Sequence, residues 1–180
     1  MKISIIIPSQ NNSTYLANLL PYLKSNTNRQ QLEEILIVEE LETRQLVKLA
    51  EKSHAKLYIF KNSDTNLKAE AGAFLAKGEI LYFIKPGHFP PRDFASRIIC
   101  AVELRIKLGS LYHPLIAKLC NYIQLPWIDR MVIFFSPISN LFILNRLFHQ
   151  NGGLKYNGRA SSLQEFLNKK EFRSTLGIIQ

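Results

Sequence analysis

Residues 78–94 read Gly-Glu-Ile-Leu-Tyr-Phe-Ile-Lys-Pro-Gly-His-Phe-Pro-Pro-Arg-Asp-Phe. The apolar run at 80–84 has the length and composition of a buried strand. Lys85, Pro86 and Gly87 follow it directly, and proline and glycine in this place predict a tight loop. The stretch therefore predicts a strand of the sheet core that ends in a short loop.

The segments before this stretch alternate regularly between strand and helix. Strands are predicted at 3–7, 34–38 and 56–60, and a helix is predicted after each of them. This alternation favours an α/β fold, with a doubly wound, mostly parallel sheet that is flanked by helices. Proteins with such a sheet bind their ligands beyond the carboxyl ends of the strands. The candidate binding loops are therefore those that follow Ile7, Val38, Phe60 and Ile84.

The second half of the chain is less regular. The sequence predicts a helix at 92–108, a partly helical segment at 111–127, strands at 131–135 and 139–143, a helix that continues to Phe148, and a last amphipathic helix at 163–172. The chain has 180 residues and shows no internal repeat, so that we expect one domain over residues 1–180.

The composition indicates a globular protein with an anionic partner. Hydrophobic residues make up 47% of the chain, charged residues make up 21%, and the formal net charge is +9. The basic residues are scattered and lack the interleaved aromatic residues of a nucleic-acid groove. We therefore expect no nucleic-acid partner.

The sequence also indicates in which cellular compartment the protein is expected. It shows no secretory signal and no apolar run long enough to span a bilayer. Cys100 and Cys120 lack metal-ligand spacing and are interpreted as buried free thiols in a reducing compartment. These features predict a cytoplasmic protein. The apolar stretch at 111–148 leaves two alternatives open, which are core packing and peripheral contact with the inner face of a membrane.

Five segments in order carry a resemblance to a known family. They are residues 3–16, 35–42, 72–83, 90–94 and 140–154. Their order and spacing resemble those of family 2 glycosyltransferases, which have the GT-A fold. The resemblance implies a single GT-A-like domain, with a nucleotide-binding half at 1–94 and an acceptor-side half at 95–180. It also implies transfer of a sugar from a nucleotide diphosphate sugar to an acceptor of unknown identity.

The loop after residue 84 departs from the family pattern. The family carries two aspartates there, in a D-x-D motif that binds a divalent metal, and the matching positions here are Lys85 and Gly87. Glycine offers no side-chain ligand and lysine repels a metal, although Lys85 could contact phosphate directly. His88 could ligate a metal, but one imidazole is a poor site for Mg²⁺ or Mn²⁺. We therefore expect no divalent metal cofactor.

Other positions match the donor side of the family. Glu39 and Glu40 stand where the family reads the nucleotide base, and the alternative is an acidic helix N-terminus that complements the helix dipole. Pro8, Ser9 and Gln10 follow the first strand, where they could meet the ribose or base; the alternative for the two polar residues is helix capping.

Two further positions complete the implied site. Lys68 lies where the family often has an arginine near the diphosphate, and the alternative is an ordinary surface lysine. Glu165 is the candidate catalytic base, and the alternative is a solvated charge on an amphipathic helix. Because the metal and base motifs both depart from the family pattern, a second function stays open, that of a non-catalytic relative that acts as a binding module.

Overall fold

The structure is a computed structural model, and it describes residues 1–62, 64–85, 87–111 and 140–150 together with the backbone of three short strands beyond them. The elements, in chain order, are β1 Ile3–Pro8, α1 Ser13–Ser25, β2 Leu32–Glu39, α2 Arg44–Ser53, β3 Lys56–Ile59, α3 Thr65–Leu75, β4 Ile80–Phe83, α4 Phe94–Glu103, β5 Leu108–Leu111, β6 Leu141–Leu144, α5 Asn145–Gln150, β7 Lys155–Tyr156, β8 Arg159–Ala160 and β9 Leu176–Ile179.

The described strands form a mixed, mostly parallel sheet. Its seven strands lie in the order β3-β2-β1-β4-β6-β5-β9, and β7 and β8 pair separately. The pairs within β3-β2-β1-β4 are parallel, β6 is antiparallel to both of its neighbours, and β5 and β9 are parallel. Since β4 pairs with β6, residues from both halves of the chain build the same sheet.

Helices cover both faces of the sheet. Alternate residues of β1 (Ile3, Ile5 and Ile7) pack in a core cluster with residues of α1, α2 and α4. Ile6 points to the other face and packs in a second cluster with residues of α3 and α5. All six residues of β1 are buried. Apart from Ser4, the strand is apolar, because both of its faces are covered.

The sequence sets the helix starts locally. The side chains of Asn12, Thr43 and Asp64 accept hydrogen bonds from backbone N–H groups in the first turns of α1, α2 and α3. Such caps satisfy N–H groups that have no partner inside the helix. The helices that the sequence predicts after the first three strands are therefore confirmed, and each begins next to a capping side chain.

A buried polar network holds the amino end of β2. Glu34 accepts hydrogen bonds from the Ser4 hydroxyl and the Lys77 N–H, and it is paired with the Lys56 ammonium. Ser4 Oγ in turn accepts from Gly78 N at 2.8 Å. Burial acts to raise the pKa of Glu34, but these partners outweigh it and the pKa is lowered. The carboxylate is therefore held in its charged form.

The predicted α/β class is confirmed, and the second half contains the differences. The helix predicted at 92–108 is shorter in the structure, where it runs from Phe94 to Glu103, and Leu108 is the first residue of β5 instead of the last residue of the helix. Arg105 adopts φ 69°, outside helical geometry, and this turn leads into β5. Pairing with β6 and β9 determines β5, and a local apolar pattern does not reveal that pairing. The segments predicted at 131–135 and 163–172 lie outside the described residues.

Two other expectations can be compared with the structure. Cys100 is exposed, so that its interpretation as a buried thiol is wrong; Cys120 lies outside the described residues. In the part of the chain that the structure describes, none of the helices has the length and apolar character that crossing a membrane requires.

Gly72 allows α3 to pack directly on the sheet. A Cβ atom at this position would lie 2.6 Å from Ile6 Cγ2 and 3.0 Å from Val38 Cγ2. Glycine is therefore required by the close approach of α3 to β1 and β2 and not by its backbone angles.

We expect Gly72→Ala to lower the free energy of unfolding by about 1–2 kcal/mol, since overpacking outweighs the gain in helix propensity. Urea denaturation followed by circular dichroism measures this change. Ala71→Ser, at the half-buried neighbouring position, is the matched control and should cost about 0.5 kcal/mol or less. Equal stability of Gly72→Ala and wild type would contradict the packing argument.

Candidate functional site

A cleft opens at the carboxyl ends of β1 and β2. Its volume is about 310 Å³, and its lining residues are Gln10, Asn11, Glu39, Glu40, Leu41 and Lys68. The ends of β1 and β2 are held together, since Ser9 N donates to Val38 O at 2.8 Å. The cleft therefore lies where α/β proteins of this architecture bind ligands.

A buried ion pair forms the floor of the cleft. Lys68 Nζ lies 3.5 Å from Glu39 Oε1, and both side chains are only 1% exposed. Lys68 Nζ also donates a hydrogen bond to Ser9 O at 2.8 Å. One ammonium group therefore joins α3 to the end of β2 and to the segment after β1.

Both oxygens of Glu39 are engaged within the protein. Oε2 accepts from Asn11 N at 2.8 Å, and Oε1 accepts from Glu40 N at 2.9 Å. Burial acts to raise the pKa of Glu39, but the two N–H groups and the Lys68 ammonium outweigh it, and the pKa is lowered. The Ser9 hydroxyl also favours the charged form, although it lies outside hydrogen-bonding geometry. Glu39 is therefore ionised and shapes the cleft.

Glu40 and Gln10 present different chemistry to the cleft. Glu40 is half-buried at the cleft wall. Gln10 is exposed, and its Nε2 donates to Thr65 Oγ1 at 2.7 Å in the first turn of α3. Pro8 and Ser9 are buried and do not line the cleft, and Pro8 pairs with Val38 of β2. The structure thus brings Gln10, Glu39, Glu40 and Lys68 together in one cleft.

The loop after β4 lies at the next strand end. β4 is parallel to β1. Just after the last paired residue of β4, Ile84 N donates a hydrogen bond to Ile6 O at 3.0 Å. Lys85 and His88 are exposed, and His88 N donates to Lys85 O at 3.2 Å to close a turn. Neither residue lines the cleft. Glu165 lies outside the described residues.

The side chains of the loop do not fit the divalent metal that the resemblance associates with this position. Lys85 is cationic, Gly87 has no ligand atom, and His88 is a single imidazole. Within residues 1–62, 64–85, 87–111 and 140–150, no three His, Cys, Asp or Glu side chains are grouped as metal ligands.

The geometry decides several of the alternatives. Lys68 is buried, so that its interpretation as a surface lysine is wrong. Glu39 is the last residue of β2, α2 has no acidic residue in its first turn, and Thr43 caps that helix. The helix-dipole alternative is therefore wrong for Glu39. Asn12, and not Ser9 or Gln10, caps α1.

Sequence reasoning missed two residues of the cleft. Asn11 adopts φ 54°, which asparagine tolerates better than most residues, and its N–H is thereby presented to Glu39. The sequence signal is an Asn-Asn pair in the loop after β1, which Ser9 and Gln10 separate from the end of the strand. Leu41 is 60% exposed at the rim of the cleft, and no sequence pattern marked it.

Comparison with known proteins finds similarity only at the level of structure. No protein-family profile matches the chain, and no curated protein matches it in sequence. A structure of residues 1–349 of S. aureus TarS superposes with a TM-score of 0.73 and 15% identity, over 99% of this chain and 58% of that one. Mannosyl-3-phosphoglycerate synthase from Rubrobacter xylanophilus gives a TM-score of 0.68 and 13% identity, over 99% of this chain and 65% of that one.

A third structure of similar fold contains bound ligands. The mannosyltransferase PcManGT from Pyrobaculum calidifontis, in complex with GDP-Man and Mn²⁺, gives a TM-score of 0.66 and 16% identity, over 90% of this chain and 50% of that one. The fold is therefore that of the GT-A glycosyltransferases. The chain spans between half and two thirds of the length of these three structures.

Lys68 provides a test of the buried pair. We expect Lys68→Met to lower the free energy of unfolding by about 3 kcal/mol, because Glu39 would remain buried without its cation. The double variant Lys68→Met/Glu39→Gln should recover most of the loss, since it leaves no unpaired charge. Urea denaturation of the wild type, both single variants and the double variant measures the coupling. Additive losses in the double variant would contradict the ion pair.

The lowered pKa of Glu39 also predicts that the stability of the fold depends on pH. Its folded-state pKa lies below the ordinary value of 4.5, so that its ionised form stabilises the fold above that pH, and this contribution is lost as the pH falls through the lowered pKa. The stability difference between wild type and Glu39→Gln should therefore be full at pH 7 and should shrink as the pH falls below 4.5. Urea denaturation across pH 3–7 measures it. Glu42→Gln, at an exposed position, is the control and should show no such change.

Proposed function

We propose that this protein binds a nucleotide diphosphate sugar and transfers the sugar to an acceptor hydroxyl. The observation that carries the proposal is the cleft at the ends of β1 and β2, with the buried Lys68–Glu39 pair as its floor and Glu40 at its wall. Its volume of about 310 Å³ lies in the range of small-molecule sites.

The roles of the acidic residues follow from their surroundings. Glu39 has both oxygens occupied by protein donors, so that we assign it to shaping the cleft. Glu40 is the half-buried carboxylate beside it, and we assign it to accepting a hydrogen bond from the N–H of a base. Uracil and guanine carry a ring N–H that can donate to a carboxylate, whereas cytosine offers an acceptor at the corresponding position. We therefore propose a nucleotide whose base carries such an N–H group, with uridine and guanosine nucleotides as the leading candidates.

The basic residues also have different roles, which depend on whether they are buried or exposed. Lys68 faces Glu39, and its charge is already balanced within the protein, so that we assign it to positioning Ser9 and Glu39. Lys85 and His88 are exposed on the loop after β4, and we assign them to the diphosphate, as a direct contact that involves no metal. Glu165 remains the proposed base for the acceptor hydroxyl.

The structures of similar fold support the class of donor. TarS has been observed in complex with UDP-GlcNAc and with UDP, and PcManGT in complex with GDP-Man and Mn²⁺. The nucleotides in these complexes contain uracil or guanine. At identities of 14–16% they support a donor class and not a particular sugar.

The second candidate function is binding without transfer. The observation that favours it is the metal loop, where Lys85 and Gly87 replace the carboxylates of the family. Incubation with UDP-sugars and GDP-sugars, followed by detection of released UDP or GDP, separates the two functions. Nucleotide binding without release, in the presence of cell-wall, lipid and protein acceptors, would assign the chain to the non-catalytic class.

Glu40 provides the direct test of base reading. We expect UDP or GDP to bind more tightly than CDP, and we expect Glu40→Ala to weaken that binding about tenfold or more through loss of a charged hydrogen bond. Isothermal titration calorimetry in EDTA and in Mn²⁺ measures both effects. Glu42→Ala, an exposed carboxylate outside the cleft, is the matched control. Failure of the wild type to bind any of the three nucleotides in either buffer would overturn the proposed function.

A further inference from the structure

The loop after β4 is fastened to α1 through its backbone carbonyls. Tyr22 Oη donates to Pro90 O at 2.6 Å. Tyr15 Oη lies 2.5 Å from His88 O and 3.3 Å from Lys85 O, and its one proton serves the nearer acceptor. The two hydroxyl groups lie about two helical turns apart on α1, and both reach a segment that lies far away in sequence.

Aromatic packing supports the same attachment. The Phe89 ring lies between the two tyrosines, at centroid distances of 5.6 Å from Tyr15 and 5.3 Å from Tyr22. Both contacts are edge-to-face, with interplanar angles of 78° and 89°. This geometry is favourable for aromatic pairs. Phe89 is nevertheless 45% exposed, so that burial alone does not explain its position.

The tyrosine hydroxyls remain donors under ordinary conditions. Burial raises the pKa of Tyr15 far above its usual value, and it also raises the pKa of Tyr22. Both hydroxyls therefore keep their protons at neutral pH. The attachment depends on no group that titrates near pH 7.

The loop carries side chains whose chemistry suits phosphate and not a divalent metal. Lys85 and His88 are exposed on either side of Gly87, which adopts φ 89°. In a loop built of carboxylates, a bound metal fixes the positions of the ligands. Here the carboxylates are missing, and the contacts from α1 hold the backbone of the same segment instead.

We propose that Tyr15 and Tyr22 are positioning residues that hold the loop after β4 in place without a metal, so that Lys85 and His88 are presented to the diphosphate of a nucleotide. We take this ligand from the proposed function, on which the inference therefore rests. Holding the loop before the ligand arrives removes part of the ordering cost of binding. Nucleotide binding should then be independent of divalent metal.

The test uses the full chain and the double variant Tyr15→Phe/Tyr22→Phe, which removes the two hydroxyls and keeps the rings. Tyr58→Phe, on the edge strand β3, is the matched control. Amide hydrogen exchange in EDTA, without nucleotide, measures the order of residues 84–90. We expect exchange at His88 to be at least tenfold faster in the double variant, while exchange in β1 stays the same.

UDP and GDP binding by calorimetry is the second measurement. We expect equal affinities in EDTA and in Mn²⁺ for the wild type, and an affinity about tenfold lower for the double variant. Loop exchange in the double variant equal to that of Tyr58→Phe, or a loop that becomes ordered only when Mn²⁺ is added, would overturn the inference. If the wild type binds no nucleotide, the proposed function fails together with the role assigned to the loop, whereas nucleotide binding with unaltered loop exchange overturns the tyrosine attachment alone.

Discussion

The buried ion pair between Lys68 and Glu39 is the interaction on which the candidate site depends. Removing two charges from water is costly, and the cost is offset only when each charge has close partners. Lys68 has Ser9 O as well as Glu39, and Glu39 has the N–H groups of Asn11 and Glu40. These contacts join the segment after β1, the end of β2, and α3. The cleft is therefore formed before any ligand binds.

The same device secures the opposite end of β2. Glu34 is buried there, and it is held by Lys56, the Ser4 hydroxyl and the Lys77 N–H. Both carboxylates have lowered pKa values because donors outweigh the effect of burial. The two differ in their surroundings, since the cleft opens beside Glu39. β2 therefore has an ion-paired carboxylate near each end, and these contacts hold the strand that supports the cleft.

Much of the first half could be predicted because its signals are local. Apolar runs mark the strands, and Asn12 and Thr43 mark helix starts through contacts within one turn. β5 could not be predicted, since its pairing with β6 and β9 joins segments that are distant in sequence. In the site, the position of Glu39 and Glu40 at the end of a strand could be predicted. The burial of Lys68 was not, because a lysine is buried only where a distant carboxylate and carbonyl meet it.

The sequence by itself determined the alternation of strands and helices, the α/β class, and the presence of Lys85 and Gly87 in the loop after β4. Each of these is a property of residue types or of spacing along the chain. The tertiary structure alone decided that Lys68 pairs with Glu39 and that Tyr15 and Tyr22 hold the loop after β4. These contacts join residues that the chain separates, and they exist only because the parallel strands bring their carboxyl ends to one edge of the sheet.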